Sequence, residues 1–322
     1  MSQNTGNSSA VIRDQVYSNF LVENLAEIML PEGMARDVSD FGDGNTLNIP
    51  TVGTVTLQEA AEGTPLSFNP IDSGTVTLGI NEYPGDAWSI TDDLKEDGYL
   101  VDRLMSERVM ESSRAMAEYF ETKFLAACDS AHTAGDPNAI NGVSHRIRAG
   151  GTGDDGVFDI EDFAFMKYSF DKAKVPQAGR IAIVDPSVEY VLNQLYTVTS
   201  NTTPMFHSIQ SEGFAQNHKF VTNLFGFDIW TSNMLPSASA IETLTGRDGS
   251  ASNGAVGDVS NIFMCIASDQ TKPIMKAWRR NPAVESWRDH EERKDKVQTT
   301  ARFGLGAQRI DTLGVIKSTT SV

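Results

Sequence analysis

The chain is poor in cysteine, with only Cys128 and Cys265 in 322 residues. They lie far apart and outside any C-x-x-C pattern, which argues against a disulfide framework or a cysteine zinc site and for two ordinary buried thiols. Histidine is sparse too. None of His132, His145, His207, His218 and His290 has the i, i+4 spacing of a helical zinc site, and His290 is not part of an H-E-x-x-H pattern. No apolar run approaches the roughly 18 residues of a membrane-spanning helix. Residues Met1 to Ala10 are polar and lack a basic flank leading into an apolar stretch, so they do not read as a secretory signal, and a cytoplasm-like compartment is expected. There is no Walker A loop and no G-x-S-x-G elbow.

Basic charge is also scarce, and it is unevenly placed. The net charge is −17. Residues 1–100 hold 16 acids against three bases, Arg13, Arg36 and Lys95. Residues 272–302 reverse the balance, with nine bases and five acids. An acidic body repels nucleic acid at long range, which argues against sequence-specific DNA binding. The asymmetry invites a partner of opposite sign, and a second copy of the chain would serve.

The length is that of about two domains and is ample for a sizeable core. Phe20, Leu21, Leu25, Ile28 and Met29 predict a short amphipathic helix that Pro31 and Gly33 end. Over 46–90 the pattern changes to period two. Leu47, Ile49, Val52, Val55 and Leu57, then Thr75 to Ile80, read as two strands of a long arm with a polar tip. Such a ribbon is marginal alone and needs something to rest on. Tyr99 to Ala127 contains neither glycine nor proline and carries a stripe of Val101, Met105, Val109, Met116, Phe120 and Phe124, so it predicts a helix of roughly 40 Å. Asp159 and Asp162 resemble a capping box before a helix whose apolar face is Phe163, Met166, Phe170 and Ala173. Arg180 to Val184 reads as a buried strand, and Asp185–Pro186 starts another helix. Strands are expected at Phe225–Trp230 and Ile262–Ala267, with a surface loop at Thr245–Asp258 between them. Val297 to Val315 reads as strands broken by Gly304 and Gly306.

Motifs for chemistry are weak. Gly151 to Gly156 spells G-x-G-x-x-G, but Ser144 to Ala149 before it is a poor buried strand and two aspartates would face any phosphate. Asp154, Asp155, Asp159, Glu161 and Asp162 lack EF-hand spacing and fit helix capping better than calcium. Arg279 and Arg280 lie near Trp278 and Trp287. The acids Glu285, Asp289, Glu291, Glu292 and Asp295 in the same stretch favour protein–protein salt bridges over a phosphate track. The residues yield no catalytic, cofactor or metal set.

The order of these segments is the informative feature. It resembles the major capsid proteins of tailed bacteriophages with the Hong Kong 97-type fold. Lys174-Val-Pro-Gln-Ala-Gly-Arg-Ile-Ala-Ile-Val-Asp-Pro186 is similar to the start of that family's axial domain, Leu224 to Asn233 to its later strand, and Arg302-Phe-Gly-Leu-Gly-Ala-Gln-Arg309 to the closing strand of its peripheral domain. The resemblance implies an α+β fold: an N-arm at 1–45, an extended β-hairpin E-loop at 46–90, a peripheral domain with a long spine helix at 91–175, an axial domain at 176–270, and return strands of the peripheral domain at 271–322.

It further implies a non-enzymatic subunit that self-assembles through hexamers and pentamers into the icosahedral head of the virion. Assembly would occur in the host cytoplasm around packaged double-stranded DNA, with a portal, room for a decoration protein, and no membrane or cofactor. The type member crosslinks its shell through an E-loop lysine. Residues 46–94 contain no lysine, so non-covalent contacts are expected instead. About 15 polar residues precede the first helix signal, which implies a separate scaffolding protein. Candidate assembly-interface residues are Glu59, Glu62, Leu66, Phe68 and Asp72 on the arm and Arg279, Arg280 and Trp287 in the basic stretch. Two readings stay open beside this one: an encapsulin-like compartment shell around a cargo enzyme, and a soluble acidic enzyme with a non-local active site.

Overall fold

The computed structural model describes residues 33–39, 44, 46–53, 57–59, 62–63, 68, 73–98, 101–150, 156–199 and 223–320. The helix expected over 16–30 and residues 151–155 of the glycine loop lie outside them. The chain runs β1 (Arg36–Asp37), β2 (Thr46–Val52), β3 (Ser73–Gly79), β4 (Gly85–Thr91), α1 (Asp92–Asp97) and α2 (Val101–Ala131). Then come β5 (Ala139–Ile140), β6 (Val143–Ser144), β7 (Arg146–Arg148), α3 (Ile160–Lys172), β8 (Arg180–Val184) and α4 (Pro186–Thr199). The last part holds β9 (Asn223–Leu224), β10 (Phe227–Thr231), β11 (Thr243–Thr245), β12 (Ala251–Asn253), β13 (Val259–Cys265), β14 (Ile274–Asp289), β15 (Lys294–Ala307) and β16 (Leu313–Ser318).

Two sheets organise these elements. The six-stranded sheet has the order β7-β16-β13-β8-β10-β9. Its central strands β8, β13 and β16 are buried along their whole length, as expected of strands covered on both faces. Side chains alternate between the two covers. Ala182, Val184, Phe263 and Cys265 meet Phe163, Met166 and Phe170 of α3 and Val188 and Leu192 of α4. Ile181, Ile183, Ile262 and Met264 meet Phe124, Leu125 and Cys128 at the end of α2. Both flanking helices start as their sequences require. The Asp159–Asp162 capping box is closed, and the Asp185 carboxylate accepts the Ser187 N–H at 2.9 Å.

The four-stranded sheet, β1-β14-β15-β4, is built on the long antiparallel pair β14–β15. Its register shifts between Trp278 and Ala283, where Pro282 has no N–H for the ladder. One face carries Trp278 and Phe303, which pack on Phe120 of α2 at ring separations of 5.2 Å each. The opposite face carries Met275 and Ala277, which pack on Leu78 of β3. Helix α2 has 31 residues, about 46 Å of rise, and it touches both sheets.

The structure departs from the sequence reading in four places. β15 is not broken by Gly304 and Gly306. Both glycines sit inside the strand on the face where β3 crosses. A Cβ at 304 would collide with the Gly79 carbonyl, and one at 306 would stand 2.8 Å from Leu78 Cδ1. The glycines are a seat for the arm, which only a residue without Cβ permits. The arm's own pairing runs from Thr46↔Gly79 to Val52↔Ser73, and Gly85–Thr91, within the 46–90 span, pairs with β15 instead. β16, within 271–322, does not join the four-stranded sheet but inserts between β7 and β13, where it is buried along its whole length. Thr245–Asp258 is not wholly loop, because Ala251–Asn253 pairs back on Thr243–Thr245.

Replacing Gly304 with Ala is expected to destabilise the protein by about 1–3 kcal/mol, the usual cost of overpacking, and to loosen the arm. A lowered thermal midpoint with faster proteolysis between residues 46 and 79 checks this.

Candidate assembly surface

The arm is anchored at its base, and the described residues beyond its paired strands are exposed. Leu78 is fully buried, whereas residues 73–75 of β3 are exposed. Beyond the paired strands, Leu57 is 91% exposed and Phe68 is completely so. Glu59 and Glu62 are exposed beside them. Leu66 and Asp72 lie outside the described residues. Burying an aromatic and a leucine of this kind stabilises by about 1.5–3 kcal/mol each, so covering Leu57 and Phe68 would be favourable.

Part of the basic stretch is paired within the chain. Arg279, Arg280 and Trp287 are exposed. Arg280 pairs with Glu285. Farther along, Arg288 donates to both oxygens of Asp92, at 3.0 and 2.7 Å, and to Asp295 at 3.3 Å. Lys95 pairs with that same Asp295, and Lys296 pairs with Asp289 at 2.6 Å. The attraction between the acidic and basic segments is thus partly spent inside the chain, fastening α1 to the end of the β14–β15 pair. Hydrogen bonding to Lys296 pulls the Asp289 carboxyl down to about 2. Arg302 lies over the Tyr83 ring, 4.6 Å from its centroid.

Sequence reasoning missed a buried ionic cluster. The segment around Arg146–Arg148 was expected to make a poor buried strand, yet β7 is buried throughout. Arg146, 1% exposed, donates to Asp129 at 2.9 Å and to Glu242 at 2.8 Å. Lys317, 2% exposed, reaches Glu242 at 3.2 Å and Asp129 at 3.6 Å. Arg148 pairs with Asp258 at 3.1 Å. These pairs join α2, β7, β16 and the segment leading into β11. The only signal in the sequence was the Arg-Ile-Arg alternation; its carboxylates come from positions that only the fold brings near.

A cleft of about 500 Å³ lies between α2 and the four-stranded sheet, lined by Met34, Met116, Phe120, Phe124, Trp278 and Val284 among others. Its lining is mainly apolar and includes no nucleophile paired with a base. Among the described residues no three His, Cys, Asp or Glu side chains gather as a metal site, and no helix is long and apolar enough to cross a membrane.

A long helix is thus shared by two sheets, and a two-stranded arm is seated on one of them. The comparisons place the chain. The family model for phage capsid protein matches residues 73–318. The capsid protein of cyanophage P-SCSP1u superposes with a TM-score of 0.68 at 16% identity, covering 94% of this chain and 92% of its own. The mature capsid of bacteriophage PhiM1 gives 0.70 at 13% identity, covering 99% and 95%. That of Mycobacterium phage Che8 gives 0.66 at 16%, covering 94% and 96%. No curated protein matches in sequence. The chain belongs to the phage capsid protein family; it is a major capsid protein of a tailed phage with the Hong Kong 97-like fold. The encapsulin-like and enzyme readings are not favoured.

Arg146→Met leaves Asp129 and Glu242 short of a buried partner and is expected to cost about 3–5 kcal/mol, whereas Arg280→Ala, at an exposed pair, should change stability by about 0–1 kcal/mol. Chemical denaturation of the two variants beside the parent checks the contrast.

Proposed function

We propose that this subunit closes its shell by laying the β-arm across an adjacent copy, where the tip residues Leu57, Leu66 and Phe68 are covered and Glu59, Glu62 and Asp72 face bases of residues 272–302, Arg279 and Arg280 first among them, with Trp287 alongside. The observation that carries the reading is the uncovered tip of a ribbon whose base is seated on Gly304 and Gly306. A two-stranded ribbon is marginal by itself, and a contact between an arm and a different patch on the next copy is heterologous, the kind that generates rings. Hexamers and pentamers are the expected rings. Each exposed pair contributes only about 0–1 kcal/mol; repetition over the shell makes the pairs fix register.

The rest of the reading follows from charge and composition. With no lysine over 46–94 the contacts are non-covalent. A net charge of −17 suits a lining that holds double-stranded DNA without binding its sequence, so the genome can be packed and released. The subunit acts by assembly and carries no catalytic step. A separate scaffolding protein and a portal complete the proposed partners in the host cytoplasm.

Light scattering on the concentrated chain, with scaffolding protein co-expressed, is expected to give a narrow megadalton species. A 35 kDa monomer under every condition would overturn the reading. In the same assay, Glu59→Lys with Glu62→Lys is expected to lower particle yield at low salt. Yield equal to the parent at low and high salt would remove the charge contacts from the proposal.

A further inference from the structure

Two histidines are buried at the seam where α2 meets the six-stranded sheet. His132 follows the last residue of α2 and is 2% exposed; His145 precedes β7 and is fully buried. Each ring makes one hydrogen bond. His132 Nε2 donates to the Leu313 carbonyl at 3.1 Å, and His145 Nδ1 donates to the Val143 carbonyl at 3.0 Å. A carbonyl only accepts, so these bonds set both tautomers: the proton is on Nε2 of His132 and on Nδ1 of His145. The remaining nitrogens, His132 Nδ1 and His145 Nε2, are buried with no partner. As bare acceptors they are tolerated. Once protonated, each becomes a buried N–H with nothing to donate to.

We propose that His132 and His145 form an acid latch, whose protonation releases the end of α2 from β16. The groups facing the rings support the direction. His132 feels the Arg146 guanidinium and His145, which oppose a second positive charge, and Asp129, which favours it. Asp129 already holds Arg146 and Lys317. His145 feels Asp311, and its ring stacks on Phe170 of α3. Burial is the largest influence on both rings and lowers both; His132 is held down to about 4. Unfolded histidine titrates near 6.5. The open seam therefore binds more protons than the closed one. The latch holds fully above about pH 6.5 and weakens as pH falls toward about 4. The seam lies where the His132–Leu313 bond and the His145 carbonyl, which accepts the Val315 N–H at 2.8 Å, tie β16 to its neighbours.

Hydrogen exchange on the full-length chain tests this. After correction for intrinsic rates, peptides spanning His132 and Leu313 should exchange at least about tenfold faster at pH 5 than at pH 7. Peptides spanning β8 and β13 should not. His132→Gln with His145→Asn places a non-titrating amide N–H where each ring N–H donates, and should abolish the acid response. An unchanged seam in the parent, or a full response in the double variant, overturns the proposal. Should the double variant fail to fold, exchange at the histidine C2–H of the parent decides. Midpoints below about 6.5 for both rings, tracking seam opening, support the latch; a midpoint at or above that value for either ring overturns it.

Discussion

Helix α2 is the element on which the rest of this subunit depends, because two sheets use it as cover. Its C-terminal end buries Phe124, Leu125 and Cys128 against the six-stranded sheet. One turn earlier, Phe120 stacks on Trp278 of the four-stranded sheet. Neither sheet could shift along the helix without uncovering apolar area, at about 25 cal/mol per Å². The helix can serve both only because it is long, and it is long because its sequence runs from Val101 to Ala131 without a breaker.

The arm depends on the same arrangement from the other side. The face of β14–β15 that α2 does not use would be exposed if Leu78 did not sit on Met275 and Ala277. Gly304 and Gly306 bring the two backbones close enough for that contact. The base of the arm is thereby seated, while Leu57 and Phe68 beyond its paired strands are exposed. A seated base gives a segment a defined direction, which the proposed contact with a neighbouring copy requires.

Charge has two roles in this chain. On the surface it balances segments locally, as Arg288 does with Asp92 and Asp295. Inside, Arg146, Lys317, Asp129 and Glu242 form a compact neutral set that joins the end of α2 to β7 and β16. Buried ions of this kind add little net stability over an apolar replacement. They make misregistered packing costly, because any shift of β7 would leave a guanidinium without its carboxylates.

Patterns of one element were legible in the sequence. The α2 stripe from Met105 to Phe124, the Asp159–Asp162 cap, the apolar run Arg180–Val184 and the alternation over 75–80 each depend on neighbours a few residues away, and each appears as expected. The order of those elements carried the family resemblance. Tertiary structure decided what depended on distant partners. Gly304 and Gly306 look like strand breakers until Gly79 and Leu78 lie against them, and Arg146 looks unfit for a core until Asp129 and Glu242 arrive. The place of β16, between β7 and β13 and buried throughout, likewise depended on distant partners. The basic stretch 272–302 was visible as a charge excess, but that Asp92 and residues of the stretch itself would take up much of it was not. Local propensity and periodicity act within a turn or a strand, so one sequence suffices to read them. Close approach, ion pairing and two-sided burial are properties of pairs of segments, and they exist only once the chain has brought those segments together.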